Sequence, residues 1–296
     1  MRPLLLFSVA LCGCGIKLNE QPSPDGGQAD GPVRLVDASP DAPLVLGNFG
    51  APAKIAGLSL DTAAEDDLTL NATETELIFA INLGAGNGSK NLYVSTRASL
   101  QAAWGAPVAI GALNTADSDS TPRLSADGLT LYYATTRGGA SEDVWMTQRA
   151  NATAPWGTPT VISTASSGAN DRWYAPCGGK YIVASDRTTA GDLDLYEGTL
   201  GQAATRLALS STGTDTAPFL TADCLTLYWA KDNGGQRDIF RATRATATSA
   251  WQVVGVVTGV SGSTTNEEDP WMSPDGRRMY FASSADGELD LYLSTR

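Results

Sequence analysis

A stretch of about 13 residues recurs five times along this chain, and that recurrence limits the fold more than any other feature. Three copies are close: 122–134 (PRLSADGLTLYYA), 218–230 (PFLTADCLTLYWA) and 270–282 (PWMSPDGRRMYFA). A diverged copy runs over 172–184 (RWYAPCGGKYIVA) and the most diverged over 68–80 (LTLNATETELIFA). The starts at 68, 122, 172, 218 and 270 lie 54, 50, 46 and 52 residues apart. A period near 50 fits a propeller blade of four strands and is long for a helical-hairpin solenoid.

Each copy has the same internal order. A short strand enters a Ser/Ala-Asp-Gly turn, where glycine supplies positive φ cheaply and aspartate bonds its own backbone. The strand after the turn is apolar on both faces, as a blade packed between two neighbours requires. A Gly-rich loop then leads to a third strand, marked by Asn91-Leu-Tyr, Asp143-Val-Trp, Asp194-Leu-Tyr, Asp238-Ile-Phe and Asp290-Leu-Tyr. Trp104-Gly-Ala-Pro, Trp156-Gly-Thr-Pro and Trp251 mark the fourth, with a weaker version over 205–209. The sequence ends at Arg296, just after the third strand of the fifth repeat, while 49–55 (FGAPAKI) matches 104–110 (WGAPVAI). These observations predict an all-β, five-bladed β-propeller over 46–296, closed by an N-terminal strand that completes the last blade and leaves no open sheet edge.

The pattern Pro-x-x-Ser-Pro-Asp-Gly-x-x-x-x-Phe/Tyr, followed by a Gly-rich turn and Asp-Leu/Ile-Tyr, resembles the TolB-type propeller repeat, a relative of WD repeats. Ser273 to Gly276, Tyr280-Phe281 and Asp290 to Tyr292 carry it most closely. The resemblance covers roughly 49–296 and implies a fold; such propellers serve as protein-binding modules, as parts of peptidases and as sensor or surface domains. TolB itself carries an additional N-terminal domain, where this chain shows a tether.

The N-terminus reads as an address. Met1-Arg2 and the apolar run 3–11 (PLLLFSVAL) are far too short for a membrane span, which needs roughly 20 residues, and fit a signal peptide over 1–13. Leu11-Cys12-Gly13-Cys14 resembles the bacterial lipobox, which implies lipidation at Cys14; Cys12 fits less well because bulky Leu11 precedes it directly. An unlipidated secretory signal is the alternative. Residues 14–45, rich in Pro, Gly, Asp and Ser, read as a flexible tether beyond the lipidated cysteine. The expected location is a bacterial envelope, with Gly15 pointing to the outer membrane on the lipoprotein resemblance, and the expected state is a monomer touching the membrane through its anchor alone.

Composition narrows the chemistry. The chain has no histidine, which removes histidine general bases, Ser-His-Asp triads and histidine-containing zinc sites. A net charge of −12 argues against nucleic acid and leaves cationic peptides, basic protein faces and divalent cations as partners. Asp67, Asp119, Asp171, Asp215 and Asp269 enter the first strands, with Glu65, Asp66, Asp117, Glu267 and Glu268 beside them. In a closed ring they gather around one mouth of the channel, as a ligand-facing acidic ring or as turn caps and inter-blade partners of groups such as Arg123 and Arg172. No catalytic residue stands out and no cofactor is expected. A calcium-like ion is the one metal the acids admit, although Asp192, Asp194, Asp286, Glu288 and Asp290 lack the spacing of a recognised calcium loop.

Trp173, Phe219 and Trp271 share one aligned position and read as core, with an aromatic rim as the alternative. Cys177 and Cys224 occupy equivalent turns of adjacent blades, where an exported chain would join them in a disulfide; two separate thiols are the alternative. The leading functional expectation is a membrane-anchored module that binds an envelope protein, a peptide or a glycan. The alternatives are a carbohydrate-active enzyme with carboxylates in the channel and a structural spacer of the envelope.

Overall fold

The computed structural model of the chain describes residues 46–59, 63–82, 90–262 and 264–296. Cys14, the signal segment and the tether lie outside the described residues. Twenty strands form five antiparallel four-stranded sheets, with no helix among the described residues. β1 (Ala53–Lys54) belongs to the last blade. The first blade follows as β2 (Ala64–Leu70), β3 (Glu76–Asn82), β4 (Lys90–Thr96) and β5 (Val108–Ala109). The second contains β6 (Asp119–Leu124), β7 (Thr130–Thr135), β8 (Asp143–Gln148) and β9 (Thr160–Val161). The third contains β10 (Asp171–Cys177), β11 (Lys180–Thr189), β12 (Asp192–Thr199) and β13 (Thr205–Arg206). The fourth contains β14 (Asp215–Leu220), β15 (Thr226–Asp232), β16 (Arg237–Thr243) and β17 (Gln252–Val256). The fifth is β18 (Glu267–Met272), β19 (Arg278–Ser283) and β20 (Asp290–Thr295), completed by β1. This is the expected five-bladed propeller, closed by the expected strand.

The second strand of each blade carries most of the core. Leu77, Ile78, Phe79, Tyr181, Ile182, Val183, Trp229 and Phe281 are fully buried, since both faces of a blade are covered by neighbours. Each such side chain stabilises the fold by roughly 1.5–3 kcal/mol relative to exposure.

Every first strand contains a bulge, and its residue takes positive φ without being glycine: Asp67, Thr121, Trp173, Ala217 and Asp269, at φ between 49° and 57°. Such a backbone is sterically costly for Thr and Trp, and it re-aims the strand at the axis. The bulges also fix the register between blades. Asp171 pairs with Ser185 and Ala175 with Ile182, just as Asp215 pairs with Lys231 and Phe219 with Tyr228. The third copy therefore starts at Tyr174, two residues later than the sequence alignment places it. The cause is a shorter turn: Cys177 pairs directly with Lys180 across Gly178-Gly179, both at positive φ, the geometry of a two-residue hairpin.

A repeated clasp ties the third strand to the fourth. Arg97, Arg149 and Arg244 lie over the rings of Trp104, Trp156 and Trp251 at 4.2, 4.4 and 4.1 Å. Arg296 lies over Phe49 at 4.5 Å, so the same cation–π clasp fastens the N-terminal strand to the C-terminus. Backbone bonds from Gly50 to Thr295 and from Ile55 to Leu291, both 2.8 Å, complete the seam with the β1–β20 pairing.

Candidate functional site

The acids at the start of the first strands divide into two sets. Asp119, Asp171 and Asp215 are equivalent to Glu65 and Glu267, and all five are buried. Asp119, Asp171 and Asp215 accept the backbone N–H and hydroxyl of Thr115, Ser167 and Ser211, four residues earlier. Glu267 does the same with the Gly262 N–H and the Thr265 hydroxyl. Arg137 and Arg187 bind the free oxygens of Asp119 and Asp171, and the Trp229 indole binds that of Asp215. Asp119, Asp171, Asp215 and Glu267 thereby close the loops entering the second to fifth blades; the signal for the three aspartates is Ser/Thr-x-x-x-Asp.

Asp67 and Asp269 stand two residues further on, at the bulge, and meet at the axis. The Asp67 N–H donates to Asp269 Oδ2 at 2.9 Å, and Trp173 Nε1 lies 2.9 Å from an oxygen of each carboxyl group. Thr121 donates its N–H to Asp67, and Trp173 donates its own to Thr121 Oγ1. Each bulge side chain here holds the amide of the following blade, giving a belt from the fifth blade through the first and second to the third.

Lys90 Nζ binds Asp66 and Asp67 at 2.6 and 2.8 Å, while Arg172 pairs with Glu142 and Arg237 with Glu268. Burial, reinforced by the Asp67 charge, pushes the Asp66 carboxyl up to about 8. Burial and the same charge raise Asp269 well above the usual range. Burial also opposes ionisation of Asp67, but Lys90 and the Thr121 N–H outweigh it and hold Asp67 low. The axis thus holds the Asp67 carboxylate ionised beside Asp66 and Asp269, whose carboxyl groups burial and the Asp67 charge push upward.

Towards the other end, where the first strands run into their turns, the channel opens into an apolar funnel of about 280 Å³. Leu70, Leu124, Leu220 and Met272 contribute to its wall, with Phe219 and Trp271 in edge contact at 6.0 Å. The hydroxyls of Ser125, Thr221 and Ser273 bind the aspartates of their own turns. Among the described residues Arg123 is the only charged one of the lining. Cys177, on the rim, is joined to Cys224 by a disulfide with Cα atoms 5.7 Å apart.

The structure therefore places Asp119, Asp171 and Asp215 in loop closure and brings together only Asp67 and Asp269. Phe219 and Trp271 are equivalent to each other, whereas Trp173 belongs two positions earlier. Its indole bonds at the axis, and Ala175 takes the wall position. Among the described residues no group of three or more Cys, Asp or Glu is arranged to hold a metal ion. Nor is any helix long and apolar enough to cross a membrane. In the sequence Arg123 stands out only as a neighbour of the acids; its exposure to the funnel depends on the bulge, which leaves no residue signature.

No protein-family model and no curated protein matches the chain. Solved structures do. TolB from Acinetobacter baumannii is 16% identical with a TM-score of 0.47; the match covers 77% of this chain and 54% of that one, so this chain spans about half its length. A TolB candidate from Agrobacterium tumefaciens is 16% identical with a TM-score of 0.51, covering 80% of this chain and 79% of that one. The catalytic domain of a GH62 α-L-arabinofuranosidase from Coprinopsis cinerea is 11% identical with a TM-score of 0.59, covering 84% and 96% respectively. At these identities the likeness is one of fold. The chain has the fold of a TolB-like five-bladed β-propeller.

Proposed function

We propose that this chain is a ligand-binding module held at a bacterial envelope, and that its ligand enters the turn-side funnel. The observation that carries this reading is the cavity itself: about 280 Å³ of apolar space at the end of the channel, with one charged side chain, Arg123, in its wall among the described residues. The carboxylates on the axis suit binding less well. Asp67 and Asp269 are buried, bond the same indole nitrogen and serve neighbouring blades. Hydrolysis of a glycoside requires two carboxyl groups flanking a sugar, about 5–9 Å apart and open to it. The basic, apolar and cysteine-bearing N-terminus supports export and lipid anchoring at Cys14, and the Cys177–Cys224 disulfide fits an oxidising compartment. Apolar walls favour a protein segment, peptide or small organic ligand over a polar glycan.

A photo-crosslinking amino acid placed at exposed Ala222, on the funnel rim, tests the reading against the same group at exposed Asp117. In envelope fractions of the producing cells, a discrete adduct is expected from position 222 and none from 117. The opposite pattern would place the ligand at the acidic end and refute the proposal.

A further inference from the structure

Arg123 has no carboxylate partner among the described residues. Among the described residues its guanidinium makes one hydrogen bond, from Nη2 to the Pro218 carbonyl at 2.7 Å, and no ion pair. Its Nε is buried without any partner. A guanidinium carries five N–H donors, and burying a charge without pairing is costly. Arg172 and Arg237 behave differently: Arg172 holds Glu142 and Arg237 holds Glu268.

The surroundings of Arg123 keep this charge uncompensated. Its guanidinium carbon lies 4.9 Å from the centre of the Phe219 ring, which fixes its plane against the funnel wall. Asp269 is the carboxyl that acts on it electrostatically, it makes no ion pair with Arg123 among the described residues, and burial and the Asp67 charge push it towards its neutral form. Burial pushes the guanidinium down to about 10, which leaves it protonated at neutral pH. The hydroxyls around the rim are engaged in their own turns and offer no counter-charge.

We infer that the funnel receives a small apolar carboxylate, its carboxyl group on Arg123 and its apolar part against Phe219 and Trp271. The inference rests on the reading of the funnel as the ligand site and names the ligand's chemistry. A planar carboxylate matches the donor fork of arginine, which a lysine cannot reproduce. The free volume corresponds to about nine water molecules at liquid density, room for one aromatic or branched side chain with its carboxylate. Both a free organic acid and the C-terminal residue of a chain carry this chemistry.

Calorimetric titration of the full chain with N-acetyl-L-phenylalanine, its neutral amide and the peptide Gly-Gly-Gly-Phe tests the inference. The free acid is expected to bind at least tenfold more tightly than the amide. Arg123→Gln is expected to abolish that preference, and Arg123→Lys to retain part of it. Thermal melts identify a variant that fails to fold, and the acid-to-amide ratio of the wild-type chain decides the matter without either variant. Binding of both the acid and the peptide assigns the terminus of a chain, whereas exclusion of the peptide assigns a free acid; both uphold the inference. Equal affinity for acid and amide overturns it while leaving an apolar ligand site. Binding of none of the three probes overturns the inference and the funnel reading together.

Discussion

Gly259→Ala is expected to destabilise the protein by about 3 kcal/mol or more and to open the ring at its seam. Gly259 has φ +87°, a conformation open to glycine and costly for alanine. A Cβ there would stand 2.1 Å from the carbonyl oxygen of Phe49 and 2.9 Å from its carbonyl carbon, so backbone would have to move. Phe49 leads the closing strand, which is held by the Arg296 clasp, by the Gly50 and Ile55 amide bonds, and by pairing of Ala53 and Lys54 with Leu293 and Tyr292. Displacing it loosens a seam that every blade depends on. Urea denaturation measures the loss, and trypsin should cut at Lys54 faster than in the wild type. Gly139→Ala is the control: nothing lies within 4 Å of its Cβ position, and its stability should stay within about 0.5 kcal/mol.

Removing the disulfide is the second large effect. Cys177 and Cys224 are 47 residues apart in sequence, and closing a loop of that size removes roughly 4 kcal/mol of unfolded-state entropy. The bond also joins the turns of the third and fourth blades at the funnel rim. Cys177→Ala with Cys224→Ala should lower the urea midpoint to that extent, and the wild type under reductant should approach the same value. Cys224 has φ 61° where the second and fifth repeats carry Gly128 and Gly276. The pair Cys177→Ala with Cys224→Gly should therefore recover up to about 1 kcal/mol relative to the double alanine variant. Equal midpoints for the wild type with and without reductant would show that the bond contributes nothing in solution.

The architecture was legible because a propeller repeats its physics. Apolar second strands, Asp-Gly turns and the match of Phe49 to Trp104 are local patterns that recur whenever a blade is built. The site was less legible, since it depends on register. Aligning acids by residue type set Asp67 and Asp269 beside Asp119, Asp171 and Asp215, when Glu65 and Glu267 are the true equivalents. One bulge per first strand separates the two sets, and the short Gly178-Gly179 turn shifts Trp173 by the same two residues. The clasp arginines follow third strands in a pattern the repeat comparison missed, as Thr96-Arg97, Gln148-Arg149, Thr243-Arg244 and Thr295-Arg296. Their meaning emerges only when the fourth-strand aromatic folds back on them. Arg123 was the least legible of all, because an unpaired charge is a property of its surroundings.

On the proposed function, ligand binding belongs to the apolar end of the channel and the carboxylates to its construction. Two variants divide these roles. Ala126→Trp with Ala222→Trp plugs the funnel from exposed rim positions, and Asp66→Asn neutralises an axial carboxyl that already favours its protonated form. The decisive measurement is the yield of the adduct formed from a crosslinking group at Thr221, compared between these variants and the parent chain. The plugged variant is expected to lose the adduct and the Asp66 variant to keep it. Retention in the plugged variant with loss in the Asp66 variant would contradict it.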